Sequence, residues 1–310
     1  MNMKPFEKRI TTGDLFSVYG TVGYIDYTIR RRIRMEGPVD GDILRKAVDR
    51  TAARYPYLCV RLRLDDQGFY YEENPAPVAV LQTANSIRLA SAETNNHVWA
   101  VCYAGDEIYL DFFHGLADGI GVSFLTETLL YEYCLERYGD VDVAGIRTTE
   151  DPIDPSEFAD PLDALPDVEL PDVPPAEPAH VYDLIRDAGM TPGVQLISDV
   201  IVPESAFLRF TSASDASPGT MVALLTAKAI DECSVNRTLP IVGHYAMNAR
   251  PAVKAPNGHH NCLSTINLMY TDRIKALPFQ TQCTAYRGMT FLQSDADRVR
   301  PGLEAASSML

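Results

Sequence analysis

Chemistry is most legible in the stretch from Asp111 to Phe124, DFFHGLADGIGVSF. A strand-like run ends at Phe113, a short glycine-containing turn spans His114 to Gly119, and a helical pattern begins just beyond it. An imidazole at a strand edge is open to a ligand. Its neutral form titrates near physiological pH, so it can take a proton from a hydroxyl or amine that attacks a carbonyl. Four residues on, Asp118 followed by Gly119 can fold back and fix the turn that presents the imidazole. By itself a histidine beside a turn is more often a hydrogen-bonded structural residue than a base, so the surrounding sequence decides its weight. His259-His260 with His244 raise the question of a metal. Adjacent histidines on a strand face opposite ways, however, and no cysteine or carboxylate spacing completes a site, so a loop or tunnel lining is expected and no metal.

The elements that must position His114 are readable on both sides of it. Thr21 to Glu36 is rich in Tyr, Ile and Val and predicts a strand that ends at the Gly37-Pro38 breaker. Asp40 then caps a helix whose apolar residues, Ile43, Leu44, Ala47, Val48, Thr51, Ala52 and Tyr55, recur at helical spacing up to Pro56. Leu58 to Leu64 alternates and returns as Phe69 to Glu73 across an Asp65–Gly68 turn. A second hairpin pairs His97–Tyr103 with Ile108–Phe113, and Gly121–Tyr138 reads as a helix with Val122, Leu125, Leu129 and Tyr133 on its core side. The first lobe, 1–150, is thus a largely antiparallel sheet with two packed helices.

Between Asp151 and Pro178 stand eight prolines and nine acidic residues with no Lys or Arg, the composition of a surface linker. Beyond it, in 179–310, strands are predicted at Val194–Val202, Leu239–Met247 and Cys262–Tyr270. Helices are predicted after Pro203-Glu204, from Pro218 to Glu232 and from Phe279 to Arg298. Each lobe is expected to be a mixed α/β (α+β) layer, a sheet flanked by helices.

Composition narrows the function class. Across 310 residues, 46% are apolar and 22% charged, the balance of a folded protein, and the net charge of −15 opposes binding to nucleic acid or to anionic membrane surfaces. The six cysteines form no Cys-x-x-Cys unit and no secreted-type framework. No leader and no membrane-spanning run is legible, which predicts a cytoplasmic protein.

HGLADG resembles the His-x-x-x-Asp-Gly signature of the superfamily that holds chloramphenicol acetyltransferase, nonribosomal peptide condensation domains, plant acyltransferases and alcohol acetyltransferases. Three further stretches resemble that superfamily in the right order: Arg34–Leu58, Val202–Ile230, and Asn248-Ala249-Arg250-Pro251 with its Gly258–Asn261 continuation. The resemblance covers nearly the whole chain and implies the two-lobed chloramphenicol-acetyltransferase-like fold. It also implies acyl transfer from a coenzyme A or carrier-protein thioester to an alcohol or amine. The acyl-CoA, or an acyl carrier protein, would act as a co-substrate, with no permanently bound cofactor.

By the same resemblance His114 is the general base, Gly119 lets the backbone turn tightly beside it, and Asp118 is structural, turned from substrate and paired to an arginine. Arg250 is the first choice of partner, with Arg30, Arg31, Arg32 and Arg34 as alternatives. Asn248, Ser264 and Thr265 are candidates for substrate contact, the latter two, or a backbone amide, for an oxyanion. Phe113 stands where condensation domains carry a second His, which favours the free-standing, small-substrate branches. The chain has one tryptophan, Trp99, and nothing like the Asp-Phe-Gly-Trp-Gly segment of some branches, so a partial second lobe is expected. Two functional classes stay open: an active acyltransferase and a catalytically silent relative kept as a binding or scaffold module.

Overall fold

Alternating and helical patterns resolve into defined elements in a computed structural model, which describes residues 7–10, 14, 17, 18, 27–161, 165, 180–184, 198–234 and 238–308. Contacts divide the chain into two units. Met1–Leu165 groups with Lys254–Cys262, and Pro166–Val253 groups with Leu263–Met309. The segment 254–262 therefore packs with the first unit although it lies late in the chain.

In the first unit the elements run β1 (Glu7–Arg9), β2 (Thr28–Arg34), α1 (Gly41–Arg54), β3 (Val60–Asp65), β4 (Gly68–Glu73), β5 (Val80–Gln82), β6 (Trp99–Ala104), β7 (Glu107–Phe113) and α2 (Gly119–Tyr138). One sheet has the order β1-β4-β3 and the other β2-β7-β6-β5. All pairs are antiparallel except β5 with β6. Strand alternation sends Ile108, Leu110 and Phe112 of β7 to one face, where Trp99 and Val101 of β6 join them. Leu44, Ala47 and Val48 of α1 and Val122, Leu125, Leu129 and Tyr133 of α2 belong to the same core. Asp40 caps α1 as its sequence predicts, its carboxylate accepting from the amides of Asp42 and Ile43 at 3.0 and 3.1 Å.

The second unit contributes α3 (Glu204–Ala213), α4 (Pro218–Cys233), β8 (Ile241–Asn248), α5 (Arg250–Val253), β9 (Leu263–Tyr270), α6 (Asp272–Lys275), α7 (Phe279–Ser294) and α8 (Ala296–Ser308). Its sheet among the described residues is the antiparallel pair β8–β9. Met221, Leu224 and Ala227 of α4 bury with Ile241, Leu268, Tyr270, Cys283 and Tyr286.

Differences from the sequence reading have local causes. The predicted helix 279–298 breaks at Asp295, whose extended backbone ends α7 and whose carboxylate accepts from the Asp297 amide at 3.0 Å. The strand predicted at 194–202 is absent over 198–202, and its first four residues lie outside the described set. Thr28–Arg34 is the strand within the predicted 21–36, and 21–26 are likewise outside. Most of the 151–178 stretch is also outside, while Pro155–Glu157 forms a 3-10 turn. No helix among the described residues is long and apolar enough to cross a membrane.

Candidate active site

β7 ends at Phe113, whose amide donates to Val98 O at 2.9 Å, and the chain then turns at His114-Gly115-Leu116. Three backbone groups of this turn are held from within the first unit. The His114 amide donates to Tyr27 O at 2.6 Å, the Leu116 amide to Phe113 O at 3.0 Å, and the buried Tyr71 hydroxyl to Gly115 O at 2.7 Å. His114 is half-buried. Its Nδ1 is buried and has no hydrogen-bond partner among the described residues. Buried polar atoms are seldom left so, and those that are need a reason.

Asp118 is fully buried and committed within the fold. Oδ1 caps α2, accepting from the amides of Ile120 and Gly121 at 3.1 and 2.9 Å, and Oδ2 accepts from the Cys262 amide at 3.1 Å. The cap explains why α2 begins at Gly119, two residues before the helical pattern becomes legible.

The tight backbone expected of Gly119 is not found. A Cβ there would meet nothing within 4 Å, and its φ is not in the left-handed range. The constrained position is Gly121, where a Cβ would lie 2.0 Å from His259 O. The helix start is thus pressed against the 258–262 segment, and only a residue without a side chain fits.

That segment is what sequence reasoning underrated. Asn261 Nδ2 donates to His114 O at 2.6 Å and to Asp14 Oδ1 at 2.8 Å. With Cys262 on Asp118, two consecutive residues tie both ends of the His114–Asp118 loop. Asn261 stood in a stretch singled out by resemblance, but nothing in its own surroundings assigned it a role. His259 and His260 are buried rather than lining an open loop. His260 Nδ1 faces Asp14 Oδ2 at 3.2 Å and its Nε2 lies 2.9 Å from Lys8 Nζ.

His259 Nε2 lies 3.1 Å from the Tyr57 hydroxyl and 3.2 Å from Arg147 Nη1. Burial, then the Arg147 cation, lower its pKa to about 3, so it is neutral. Behind it Arg54 and Glu157 form a buried two-pronged ion pair at 2.8 and 3.0 Å, with the Tyr57 hydroxyl donating to Glu157 at 2.7 Å. Burial acts to raise the Glu157 carboxyl, but the donors from Arg54 and Tyr57 outweigh it and hold it at about 2. Among the described residues no group of three or more His, Cys, Asp or Glu could hold a metal ion.

The arginine run of β2 is largely spent on β7. Arg30 pairs with buried Asp111 at 2.6 Å, Arg32 and Arg34 reach Glu107 at 3.6 and 3.0 Å, and Arg31 donates to Gly119 O and to Ser123 Oγ. In the second unit, Arg250 is buried at the start of α5 and donates from its amide and Nη1 to Asn248 Oδ1 at 3.1 and 3.3 Å. Ser264 and Thr265 sit on opposite faces of β9. Ser264 is half-buried on the core side beside Met247, and Thr265 is exposed.

No protein-family profile matches the chain, and no curated protein matches its sequence. Solved structures do match in fold. Polyketide synthase associated protein 5 from Mycobacterium tuberculosis aligns with TM-score 0.62 at 15% identity, covering 94% of this chain and 74% of that one. The first condensation domain of the calcium-dependent antibiotic synthetase, solved with a substrate analogue, gives 0.62 at 14%, covering 95% and 75%. TRI101 of F. graminearum, solved with coenzyme A and deoxynivalenol, gives 0.61 at 12%, covering 98% and 78%. The chain therefore shares the mixed α/β fold of these condensation-domain and acyltransferase structures.

Proposed function

We propose that the chain is an acyltransferase that moves an acyl group from a thioester of coenzyme A or a carrier protein to a small alcohol or amine, with His114 as general base. The acceptor oxygen or nitrogen attacks the thioester carbonyl, a C–O or C–N bond forms and the C–S bond breaks. His114 takes the acceptor's proton and returns it to the leaving thiolate. The observation that carries this reading is the half-buried His114 imidazole at the end of β7, whose buried Nδ1 has no partner among the described residues and whose loop is held through the His114 amide and carbonyl, the Gly115 carbonyl and the Leu116 amide. A loop held this firmly costs little reorganisation when the imidazole acts.

Asp118 has the structural part, since its two oxygens already take three amide donors. Arg250, the partner that the resemblance implies for it, is buried. Of the candidates for contact with substrate, Asn248 and Ser264 lie at the same end of the β8–β9 pair, which favours them over the exposed, opposite-facing Thr265. No permanent cofactor is needed, because the thioester arrives with the co-substrate. Six free cysteines suit a reducing, cytoplasmic setting.

Thiol release from a panel of acyl-CoAs, with alcohol and amine acceptors, tests the reading. Acceptor-dependent release that His114→Ala abolishes supports it. Absence of release from every free and carrier-bound thioester would leave the silent-scaffold reading.

A further inference from the structure

A cavity of about 290 Å³ in the first unit borders the His114 turn and has no part in the roles above. Among the described residues its walls are mostly apolar, with Thr28, Tyr27 and Arg88 as the polar members. Leu62 of β3, Phe69 of β4, Leu89 of the loop before β6, Val98 just ahead of β6 and Phe113 of β7 all face it. Phe113 immediately precedes His114, and Tyr27, another wall residue, accepts the His114 amide through its carbonyl. The cavity wall is thus joined to the His114 turn by one hydrogen bond and one peptide link. At the rim stands Arg88, exposed and in no ion pair among the described residues.

We propose that this cavity holds the apolar chain of the acyl substrate, a linear aliphatic acyl group of medium length; the assignment rests on the acyltransferase reading. Polar acceptors such as sugars or nucleosides would leave their hydroxyls unpaired against Leu62, Phe69, Leu89 and Val98, whereas methylenes lose nothing by entering. Size sets the length. At about 30 Å³ per water-sized group the space takes on the order of ten such groups, a chain of roughly eight to ten carbons. A free fatty acid shares its apolar chain with the acyl thioester, and its carboxylate would meet the Arg88 cation, so it serves as a probe that needs no turnover.

Two measurements on the whole chain test the site. Decanoate binding is followed by calorimetry, and kcat/KM is measured for acetyl-, hexanoyl-, decanoyl- and hexadecanoyl-CoA. Leu89 lies half-buried on a loop, so Leu89→Trp is expected to fill the cavity and Leu89→Ala to enlarge it, with melting curves confirming that both fold.

The parent should bind decanoate and prefer the ten-carbon donor. Leu89→Trp should weaken decanoate by at least about tenfold, since displacing two methylenes would suffice, and should shift the preference to acetyl. Leu89→Ala should shift the optimum to a longer chain. Decanoate binding that Leu89→Trp removes, with no acyl transfer from any donor, keeps the site and sinks the acyltransferase reading. Transfer with no chain-length preference, unchanged in both folded variants, sinks the site and leaves that reading standing.

Discussion

His114 and Asp118 stand four residues apart, yet replacing them should cost different things. Removing the His114 imidazole deletes the proposed proton acceptor and one buried atom that no described group satisfies. His114→Ala should therefore lose about 10²–10⁴ in turnover while its melting temperature stays near that of the parent. Asp118→Ala removes a helix cap worth about 1 kcal/mol. It also strands the buried Cys262 amide, at about 1–3 kcal/mol. Chemical denaturation should show that loss of stability, with activity falling because the loop loosens. An Asp118→Ala chain that is inactive yet unchanged in stability would move the carboxylate into direct chemistry. Gly121→Ala forces a Cβ against the His259 carbonyl and should destabilise, whereas Gly119→Ala should not. The motif glycine that the sequence advertises and the glycine the packing needs are thus different residues, because the clash comes from a segment 138 positions away that no local pattern reveals.

At the scale of elements, the strap 258–262 and helix α2 act as one assembly through His259, Asn261 and Cys262. Its buried polar groups make it sensitive to acid. Neutral His259 has its pKa lowered from 6.5 to about 3, so its contribution to stability is present above pH 6.5 and is lost as the pH falls toward 3. Ionised Glu157, lowered from 4.5 to about 2, contributes above pH 4.5 and loses that contribution as the pH falls toward 2. In both windows the unfolded chain binds protons that the folded chain refuses. Melting temperature should begin to fall below pH 6.5, before carboxylates titrate, and His259→Gln should flatten the profile between pH 6.5 and 4.5. An unaltered profile in that variant would assign the early slope elsewhere. Helices and hairpins with clean periodicity, such as α1 under its Asp40 cap and the β6–β7 ribbon, were legible from sequence. The three-residue β5 was not, being too short to show alternation, and the Asp295 break was hidden inside a continuous helical pattern.

Across the whole molecule, fold class was legible because strand–turn–helix order survives at 12–15% identity to the structures it matches. The distribution of charge survives in the sequence as well, and it bears on the donor. The chain carries −15, and the arginines that could have offset this near β2 are mostly paired to Asp111 and Glu107. Coenzyme A is itself polyanionic, so its approach to this chain is opposed by the long-range field rather than steered by it. Screening should relieve that opposition, since the Debye length shrinks from about 30 Å at 0.01 M to about 8 Å at 0.15 M ionic strength. For an acyl-CoA donor, kcat/KM should therefore rise about two- to fivefold over that range. An uncharged thioester of N-acetylcysteamine carrying the same acyl group should show no rise, because there is no ligand charge for the field to act on. Measured side by side, the two donors separate a field effect from any salt effect on the fold, which would move both. A rate that falls with salt for acyl-CoA alone would point instead to a local cationic site for its phosphates, and the net charge would then be the wrong guide to donor binding.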